Sequence, residues 1–189
     1  ALSAFVTVET SAPATVEAIV LDGDNQTLWR VESDEPSTET ELFVATMRAE
    51  TEYTIRLTAD AAEDDRGAGA LETYTTPSLP ADFPTIEVAT ADTEAMADGY
   101  TLFNVFRWPQ AEGGAPDNEW SYLVIVDEEG EPVWYYKTDR RTGYSGFVDG
   151  IIRYEYGDIG YAELDLQGNE LLDRTADDLG LRSIHHDVQ

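Results

Sequence analysis

Short runs of alternating apolar and polar residues, separated by turns, cover most of the chain. Within residues 2–76 these runs are 2–9, 14–21, 27–31, 40–45, 52–59 and 69–76, with Gly, Asp and Pro between them. Alternation with a period of two predicts strands with one buried face, and regular spacing of short strands predicts a β-sandwich. The alternation returns from Tyr100 onward. The sequence therefore predicts an all-β protein.

A seven-residue stretch sharpens the prediction for the first half of the chain. Residues 47–53 are Met-Arg-Ala-Glu-Thr-Glu-Tyr, with an apolar residue, then Thr51, then Tyr53 at the start of a strand run. This order resembles the tyrosine corner of fibronectin type III domains, where the tyrosine hydroxyl bonds back to the main chain. The resemblance implies a fibronectin III/Ig-like β-sandwich over residues 1–78.

An acidic turn, Asp22-Gly23-Asp24-Asn25, lies between the second and third runs. A calcium loop of the EF-hand type needs oxygen ligands at alternate positions, a glycine at the sixth position and a glutamate at the twelfth. This stretch lacks that register. The pattern therefore favours a plain hairpin turn over a calcium site.

A proline-rich segment separates the two halves of the chain. Residues 77–84 contain three prolines, which have no N–H to donate and are excluded from sheet interiors. We expect a linker over 79–84 between a first domain, 1–78, and a second domain, 85–189. In the second domain we expect an edge strand over 85–89, a strand over 100–108 and an exposed loop over 109–119.

The second domain contains a repeated hairpin. The form apolar-Asp-x-x-Gly-x-x-apolar-apolar occurs at Asp127 and again at Asp165, 38 positions later, and 146–152 and 153–156 are predicted strands between them. A hairpin unit recurring near 40 residues is typical of β-propeller blades, which have four antiparallel strands. A propeller closes with about four blades or more, and only about two fit here. The sequence therefore predicts the start of a propeller, incomplete over these residues.

The chain is strongly acidic. Its 39 Asp and Glu against 11 Lys and Arg give a net charge of −28, which repels nucleic acid and anionic lipid. Disorder fits poorly, because 42% of the residues are hydrophobic and 11% are aromatic. We interpret the charge as the solvated coat of a salt-adapted, halophilic protein, from a high-salt or marine source.

The absence of cysteine and of a long apolar run excludes several kinds of site and a transmembrane helix. The sequence has no cysteine, which excludes disulfides, thiolate metal sites and cysteine nucleophiles. No apolar run is long enough for a transmembrane helix. The chain opens on Ala1-Leu2-Ser3 without a positively charged, apolar leader. We expect that a signal was removed or that the sequence starts inside a longer protein.

Both histidines of the chain, His185 and His186, stand together and are followed by Asp187. Neighbouring strand residues point to opposite faces, so the pair is a poor chelate for one metal, and no third ligand stands out. One alternative is structural, with one histidine buried and hydrogen-bonded and the other exposed. The other alternative is functional: an imidazole at the propeller's central channel that binds an anion or accepts a proton.

Taken together, these features resemble the bacterial and archaeal arylsulfotransferases, or aryl-sulfate sulfotransferases. The matching features are the N-terminal sandwich, the proline-rich join to residues 99–103 (Gly-Tyr-Thr-Leu-Phe), the Asp-x-x-Gly turns with residues 133–135 (Val-Trp-Tyr), and His-His-Asp. The resemblance implies a secreted, periplasmic or cell-surface protein with a six-bladed propeller. It also implies transfer of a sulfuryl group from an aryl sulfate donor to a phenolic acceptor, with no cofactor.

The family's route is ping-pong, through a sulfated histidine, with other histidines and an arginine holding the sulfate oxygens. His186, beside Asp187, matches the family's early His-Asp motif, which implies a sulfate-binding or charge-stabilising role; His185 is the second candidate. The nucleophilic histidine and its arginine are expected beyond residue 189, since Arg182 carries no motif that makes it that arginine. This segment alone is therefore expected to be inactive.

A second class of function fits the same architecture. A sandwich ahead of propeller blades suits an extracellular binding or structural protein in adhesion or assembly as well as an enzyme. That alternative predicts exposed aromatic patches, with Tyr135, Tyr136, Tyr144, Tyr154 and Tyr156 as candidates, whereas packing between blades would bury them. We expect no nucleic acid partner and no membrane insertion, and a homo-oligomer stays open. A quinone-dependent propeller dehydrogenase is a weaker alternative without a supporting cofactor site.

Overall fold

The computed structural model describes residues 2–61, 65–66, 69–90, 92, 95, 97, 99–107, 120–157 and 159–184. Strands account for 58% of the structure and the described residues contain no helix, which confirms the predicted all-β class. Several antiparallel sheets are present, and none of them closes on itself within this described part. The chain divides into two compact units, Ala1–Pro80 and Ala81–Gln189. The predicted loop over 109–119 lies outside the described residues.

The first unit contains one antiparallel sheet in which β1 and β4 are central. β1 pairs with β2, β3 and β4, and β4 also pairs with β5 and β6. The strands are β1 (Ala4–Leu21), β2 (Thr27–Glu32), β3 (Ser37–Val44), β4 (Glu52–Ala61), β5 (Asp65–Arg66) and β6 (Ala70–Thr75).

The prediction of separate strands over 2–9 and 14–21 is wrong, because both belong to the 18-residue strand β1. Its first half pairs with β3, and its second half pairs with β2 and β4. Pro13 lies between Glu9 and Ala14, where the pairing with β3 is interrupted. The missing N–H of Pro13 therefore breaks no bond of that ladder, and the strand passes through the proline.

One hydrophobic core holds the first unit together. It draws on both halves of β1 and on β3 and β4, although β3 and β4 are not ladder partners. Strand pairing alone would leave these apolar faces in water, so their burial against one another stabilises the unit. The buried members include Val16, Val20, Leu42, Val44, Met47, Ile55 and Leu57.

The predicted tyrosine corner forms. Tyr53 is buried at the start of β4, and its hydroxyl oxygen accepts a hydrogen bond from the main-chain N–H of Arg48 at 2.8 Å. Thr76 supports the same corner, since its hydroxyl donates to the Arg48 carbonyl at 2.5 Å and accepts from the Thr51 N–H at 3.0 Å. These bonds confirm the predicted link between the tyrosine hydroxyl and the main chain.

The second unit contains two antiparallel sheets. The first has the order β7-β8-β9 and the second the order β10-β11-β12-β13. The strands are β7 (Thr101–Arg107), β8 (Trp120–Val126), β9 (Pro132–Thr138), β10 (Thr142–Val148), β11 (Ile151–Tyr156), β12 (Gly160–Leu164) and β13 (Glu170–Thr175). β7 confirms the strand predicted over 100–108.

The two sheets of this unit pack against each other through a shared core. Leu123 and Trp134 of the first sheet lie in one cluster with Ile152, Tyr154 and Tyr156 of the second. The Trp134 indole Nε1 donates to the Leu166 carbonyl at 2.7 Å, which gives the buried ring a hydrogen-bond partner. The sheets therefore meet face to face, as consecutive layers of one unit.

The opposite face of the first sheet is covered by the segment that precedes it. Phe83 and Ile86 pack on the cluster that contains Tyr122, Val124 and Val126. The edge strand predicted over 85–89 is wrong, because these residues have no ladder partner in the described part of the chain. Ile86 of this segment, together with Phe83 before it, serves instead as a cover for the sheet.

The strand predicted over 146–152 is wrong. Asp149 and Gly150 turn the chain between β10 and β11. Both have positive φ, 53° and 81°, as the two central residues of a type I′ hairpin turn require.

The predicted hairpin repeat is present with one common register. Tyr161 pairs with Arg174 and Glu163 with Leu172, 38 positions after the pairs of Leu123 with Tyr136 and Ile125 with Trp134. In both hairpins the ladder is irregular at the residue before the turn aspartate, Val126 or Leu164. The repeat thus extends from the sequence motif to the backbone pairing.

The same five-residue turn closes both repeated hairpins. The Asp127 carboxylate Oδ1 accepts the N–H groups of Glu129 and Glu131 at 3.1 and 2.9 Å, and the Gly130 N–H donates to the Asp127 carbonyl. Asp165 accepts the Asn169 N–H at 2.8 Å in the corresponding way. These carboxylates satisfy main-chain donors that the tight turn would leave free.

The turn between β1 and β2 has this geometry as well. The Asp22 carboxylate accepts the N–H groups of Asp24 and Gln26 at 2.9 and 2.7 Å. Asn25 takes the place of the glycine, with a φ of 61° that asparagine tolerates better than most residues. This carboxylate is held by its own turn, which supports the hairpin interpretation over a calcium site.

Candidate functional site

The residues of the predicted site, His185 and His186 with Asp187, lie outside the described residues. The structure therefore does not test the roles proposed for them. It does describe the segment that leads to them. After β13 ends at Thr175, a turn over 176–180 runs to Arg182, Ser183 and Ile184.

A compact hydrogen-bond network fixes the start of this segment. The Asp178 carboxylate accepts both the N–H and the hydroxyl of Thr175, at 2.9 and 2.8 Å, and these bonds lower the pKa of Asp178. A main-chain bond holds the next residue, since the Ala176 N–H donates to the Ile159 carbonyl at 2.7 Å. The path toward the histidine pair thus leaves β13 in a defined direction.

A cluster of charged side chains is centred on Arg140, in the loop between β9 and β10. The Arg140 guanidinium Nη2 is 2.8 Å from Asp173 Oδ2, and its carbon lies 4.4 Å from the centre of the Tyr156 ring. The Tyr156 hydroxyl donates to the other oxygen of Asp173. Burial and this bond to a carboxylate raise the pKa of Tyr156 to about 12.

This cluster is a poor anion site. Besides Asp173, the Glu170 carboxylate lies 3.7 Å from Arg140, so two negative groups surround the one guanidinium. A sulfate would meet net repulsion there. The cluster instead joins the β9–β10 loop to β13, and its chemistry is structural.

A second polar group surrounds the first strand of the second sheet. Thr142, fully buried in β10, donates its N–H to the Ser121 hydroxyl at 3.0 Å and accepts at its carbonyl from Asn104 Nδ2 at 3.1 Å. Both partners belong to the first sheet. These bonds hold β10, the first strand of the second sheet, against the first sheet.

Glu155 is the one buried carboxylate among the described residues, at 6% exposure. Its Oε1 accepts the Tyr144 N–H at 3.1 Å, beside Gly143, where the β10–β11 ladder is irregular. Its Oε2 is buried without a hydrogen-bond partner in the described part of the chain. Such a group is costly unless something else satisfies it.

A third group anchors the cover of the first sheet. Asp82 accepts from the Tyr122 hydroxyl at 2.9 Å and pairs with Lys137. The bond from Lys137, and to a lesser extent the bond from Tyr122, lowers the pKa of Asp82. Burial in turn raises the pKa of Tyr122 well above its ordinary value. This group holds Phe83 on the sheet and has no evident catalytic use.

Sequence reasoning did not single out Arg140, Asp173 or Glu155. For Glu155 the available signal is a charged residue inside the apolar strand run 151–156, which indicates an ion pair, a hydrogen bond or a functional role. Arg140 and Asp173 lie outside that run. They are 33 positions apart, so the sequence pattern does not show that they pair.

The described residues contain no group of three or more His, Cys, Asp or Glu side chains placed to hold a metal ion. No helix suited to crossing a membrane occurs in the described ranges either. No protein-family model matches the sequence, and the search of curated proteins gives no match.

Proposed function

We propose that this chain is the N-terminal part of a secreted arylsulfotransferase. In this proposal the first unit is a fibronectin III-like sandwich and the second unit forms the first blades of a six-bladed propeller. The observation that carries it is the repeat in the second unit: two face-to-face antiparallel sheets whose hairpins share one register and one turn, followed by His-His-Asp. The tyrosine corner supports the assignment of the first unit.

The proposed reaction has two sulfuryl transfers. A histidine nitrogen attacks the sulfur of an aryl sulfate, the sulfur–aryl oxygen bond breaks, and the phenolate leaves. The oxygen of a phenolic acceptor, as it loses its proton, then attacks the sulfur of the sulfohistidine and regenerates the imidazole. His186, with His185 as the second candidate, binds the sulfate oxygens and stabilises their charge; the nucleophile is expected beyond residue 189.

The test is an assay with a chromogenic aryl sulfate and a phenolic acceptor, on the protein as its gene encodes it. We expect transfer, and we expect His186→Ala to lower kcat/KM by about 10²–10³-fold, as for the loss of a charge-stabilising group. Arg182→Ala is the matched control from the same segment and should retain the activity. The 189-residue chain alone should be inactive. An inactive gene-length protein would contradict the proposal.

A binding or structural role is the second candidate, and one observation favours it. Phe5 and Phe43 form a ring pair on paired strands of the first unit, with centroids 5.3 Å apart and Phe5 53% exposed. The tyrosines of the second unit do not support a binding or structural role. Tyr154 and Tyr156 are buried between the sheets, and of the five tyrosines considered above only Tyr144 is exposed.

A further inference from the structure

The turn between β1 and β2 contains a modification motif. Residues 25–27 are Asn-Gln-Thr, which is the Asn-x-Thr pattern of N-linked glycosylation acceptors. The other asparagines of the chain, Asn104, Asn118 and Asn169, have no Ser or Thr two positions later. Asn25 is therefore the one asparagine of this sequence that stands in the pattern.

The motif is accessible to an enzyme. Every residue from 23 to 28 is exposed. β2, which begins at Thr27, lies at the edge of its sheet and pairs with β1 alone among the described strands. A transferase can therefore reach both Asn25 and Thr27 from the open side of β2 without separating any strands.

The side chain of Asn25 is not used by its own turn. The turn is held by the Asp22 carboxylate and by the Asn25 N–H, which donates to the Asp22 carbonyl at 3.1 Å. Within the described part of the chain the side-chain amide of Asn25 forms no hydrogen bond. An amide nitrogen is a weak nucleophile, because its lone pair is delocalised into the carbonyl. A side chain without competing bonds is therefore the form that a transferase can take up and activate.

The two asparagines of the second unit that the structure describes are held in place. Asn169, in the equivalent turn, donates from its amide nitrogen to Asp165 and Gln167 at 2.8 and 3.2 Å. Asn104 donates to the Thr142 carbonyl at 3.1 Å. Among the described residues, a free asparagine amide and the acceptor motif thus coincide at Asn25.

The backbone of the turn does not by itself require an asparagine. Asn25 has a φ of 61°, and the corresponding residues of the other two turns are Gly130 and Gly168, with φ of 83° and 88°. Glycine adopts this region without steric cost. The turn between β1 and β2 therefore has a side chain where the two repeated turns have none.

We propose that Asn25 is the attachment site of an N-linked glycan, which a transferase moves from an oligosaccharide carried on a lipid phosphate. The Asn25 Nδ2 attacks the anomeric carbon of the first sugar. The nitrogen–carbon bond forms, the bond from that carbon to the phosphate oxygen breaks, and the lipid phosphate leaves. The amide proton passes to a base of the transferase. This inference rests on the proposed function in one respect, the export of the chain, because the motif is an acceptor in secreted proteins.

The glycan would also protect an exposed edge. The open side of β2 presents unpaired main-chain groups, and Leu28 beside the motif is 39% exposed. Free strand edges pair with other chains unless something covers them. A bulky, polar glycan on Asn25 would cover the start of β2 and oppose such pairing.

The experiment is peptide mapping by mass spectrometry of the protein as its gene encodes it, purified from its source cells. Trypsin cleaves after Arg30, so the peptide that ends there contains Asn25. We expect this peptide to have an added mass that yields sugar fragment ions, in the wild type and in Thr27→Ser. Thr27→Ala removes the hydroxyl of the motif and Asn25→Gly removes the acceptor, so both should lose the added mass.

Both variants should still fold, because Thr27 is exposed on an edge strand and glycine adopts the backbone conformation of position 25. Circular dichroism of the purified variants checks this. The peptide that contains Asn169 is the internal control and should be unmodified, because that asparagine lies outside the motif.

An unmodified wild-type peptide would overturn the glycosylation site, and so would an added mass that persists in Thr27→Ala. Sulfuryl transfer by the same preparations separates this proposal from the proposed function. A glycosylated protein without transfer would support the site and contradict the function, whereas transfer by an unmodified protein would contradict the site alone.

Discussion

At the scale of single residues, the Tyr53 hydroxyl carries most of the evidence for the first unit. Tyr53→Phe removes the bond to the Arg48 N–H and should lower the free energy of unfolding by about 1–3 kcal/mol, because a main-chain donor loses its acceptor beside a buried ring. Urea unfolding measures the change. Tyr74→Phe is the matched control, since its hydroxyl lies 3.5 Å from the Ser3 carbonyl and should contribute little. Equal losses would contradict the corner.

Tyr156 gives a pH prediction. Its pKa is raised to about 12 in the folded state, from an ordinary value of 10.0, by burial and by the bond to Asp173. The group therefore contributes stability that is complete below about pH 10 and is lost as the pH rises toward 12. The free energy of unfolding should fall over this window, and less steeply in Tyr156→Phe. Tyr144→Phe, at an exposed position, should follow the wild-type curve. A wild-type curve that stays flat would contradict the burial of Tyr156.

At the scale of elements, the repeated aspartate turn determines how three hairpins close. Its fourth residue has positive φ, so Asn25→Ala should destabilise the first unit by about 1–2 kcal/mol while Asn25→Gly should not. Thermal unfolding of the two variants measures the difference. Gly168→Ala should show a loss of the same size, because its added methyl meets only ordinary contacts. If Asn25→Ala leaves the stability unchanged, the turn at Asp22 does not have the geometry of the turns at Asp127 and Asp165.

The elements also show what could be predicted from sequence. The alternation of apolar and polar residues predicts most of the strands, and the Asp-x-x-Gly motif predicts the repeated hairpin of the second unit. The sequence predicts two strands where the structure has β1, because a proline usually ends a strand, whereas Pro13 lies where the pairing with β3 is already interrupted. The Asp149-Gly150 dipeptide is a hairpin-turn signal, and it ends β10 inside the strand predicted over 146–152. Residues 85–89 have the composition of a strand, but in the structure Ile86 packs on the face of the first sheet and the segment pairs with no strand of the described residues.

The site was less predictable than the fold. A sequence can place His185 and His186 next to each other, but the burial of Glu155 and its bond from the Tyr144 N–H depend on how β10, β11 and β12 pair.

At the scale of the whole molecule, net charge governs stability. A charge of −28 repels itself in the compact state, and salt screens that repulsion over a distance that falls from about 10 Å at 0.1 M to about 3 Å at 1 M. We expect the thermal unfolding midpoint to rise by several degrees between these salt concentrations at pH 7. Near the isoelectric point of about 4.1 the same increase in salt should have a smaller effect. An equal effect at both pH values would contradict the salt-adapted interpretation.

Transfer of sulfuryl groups through a histidine is the function that we propose for this protein. The most direct measurement is the intact mass of the gene-length protein after mixing with an aryl sulfate in the absence of acceptor. We expect a gain of one sulfuryl group, on a histidine, that disappears when a phenol is added. A mass that stays unchanged while aryl sulfate is turned over would contradict the covalent route. An unchanged mass with no turnover would contradict the function itself.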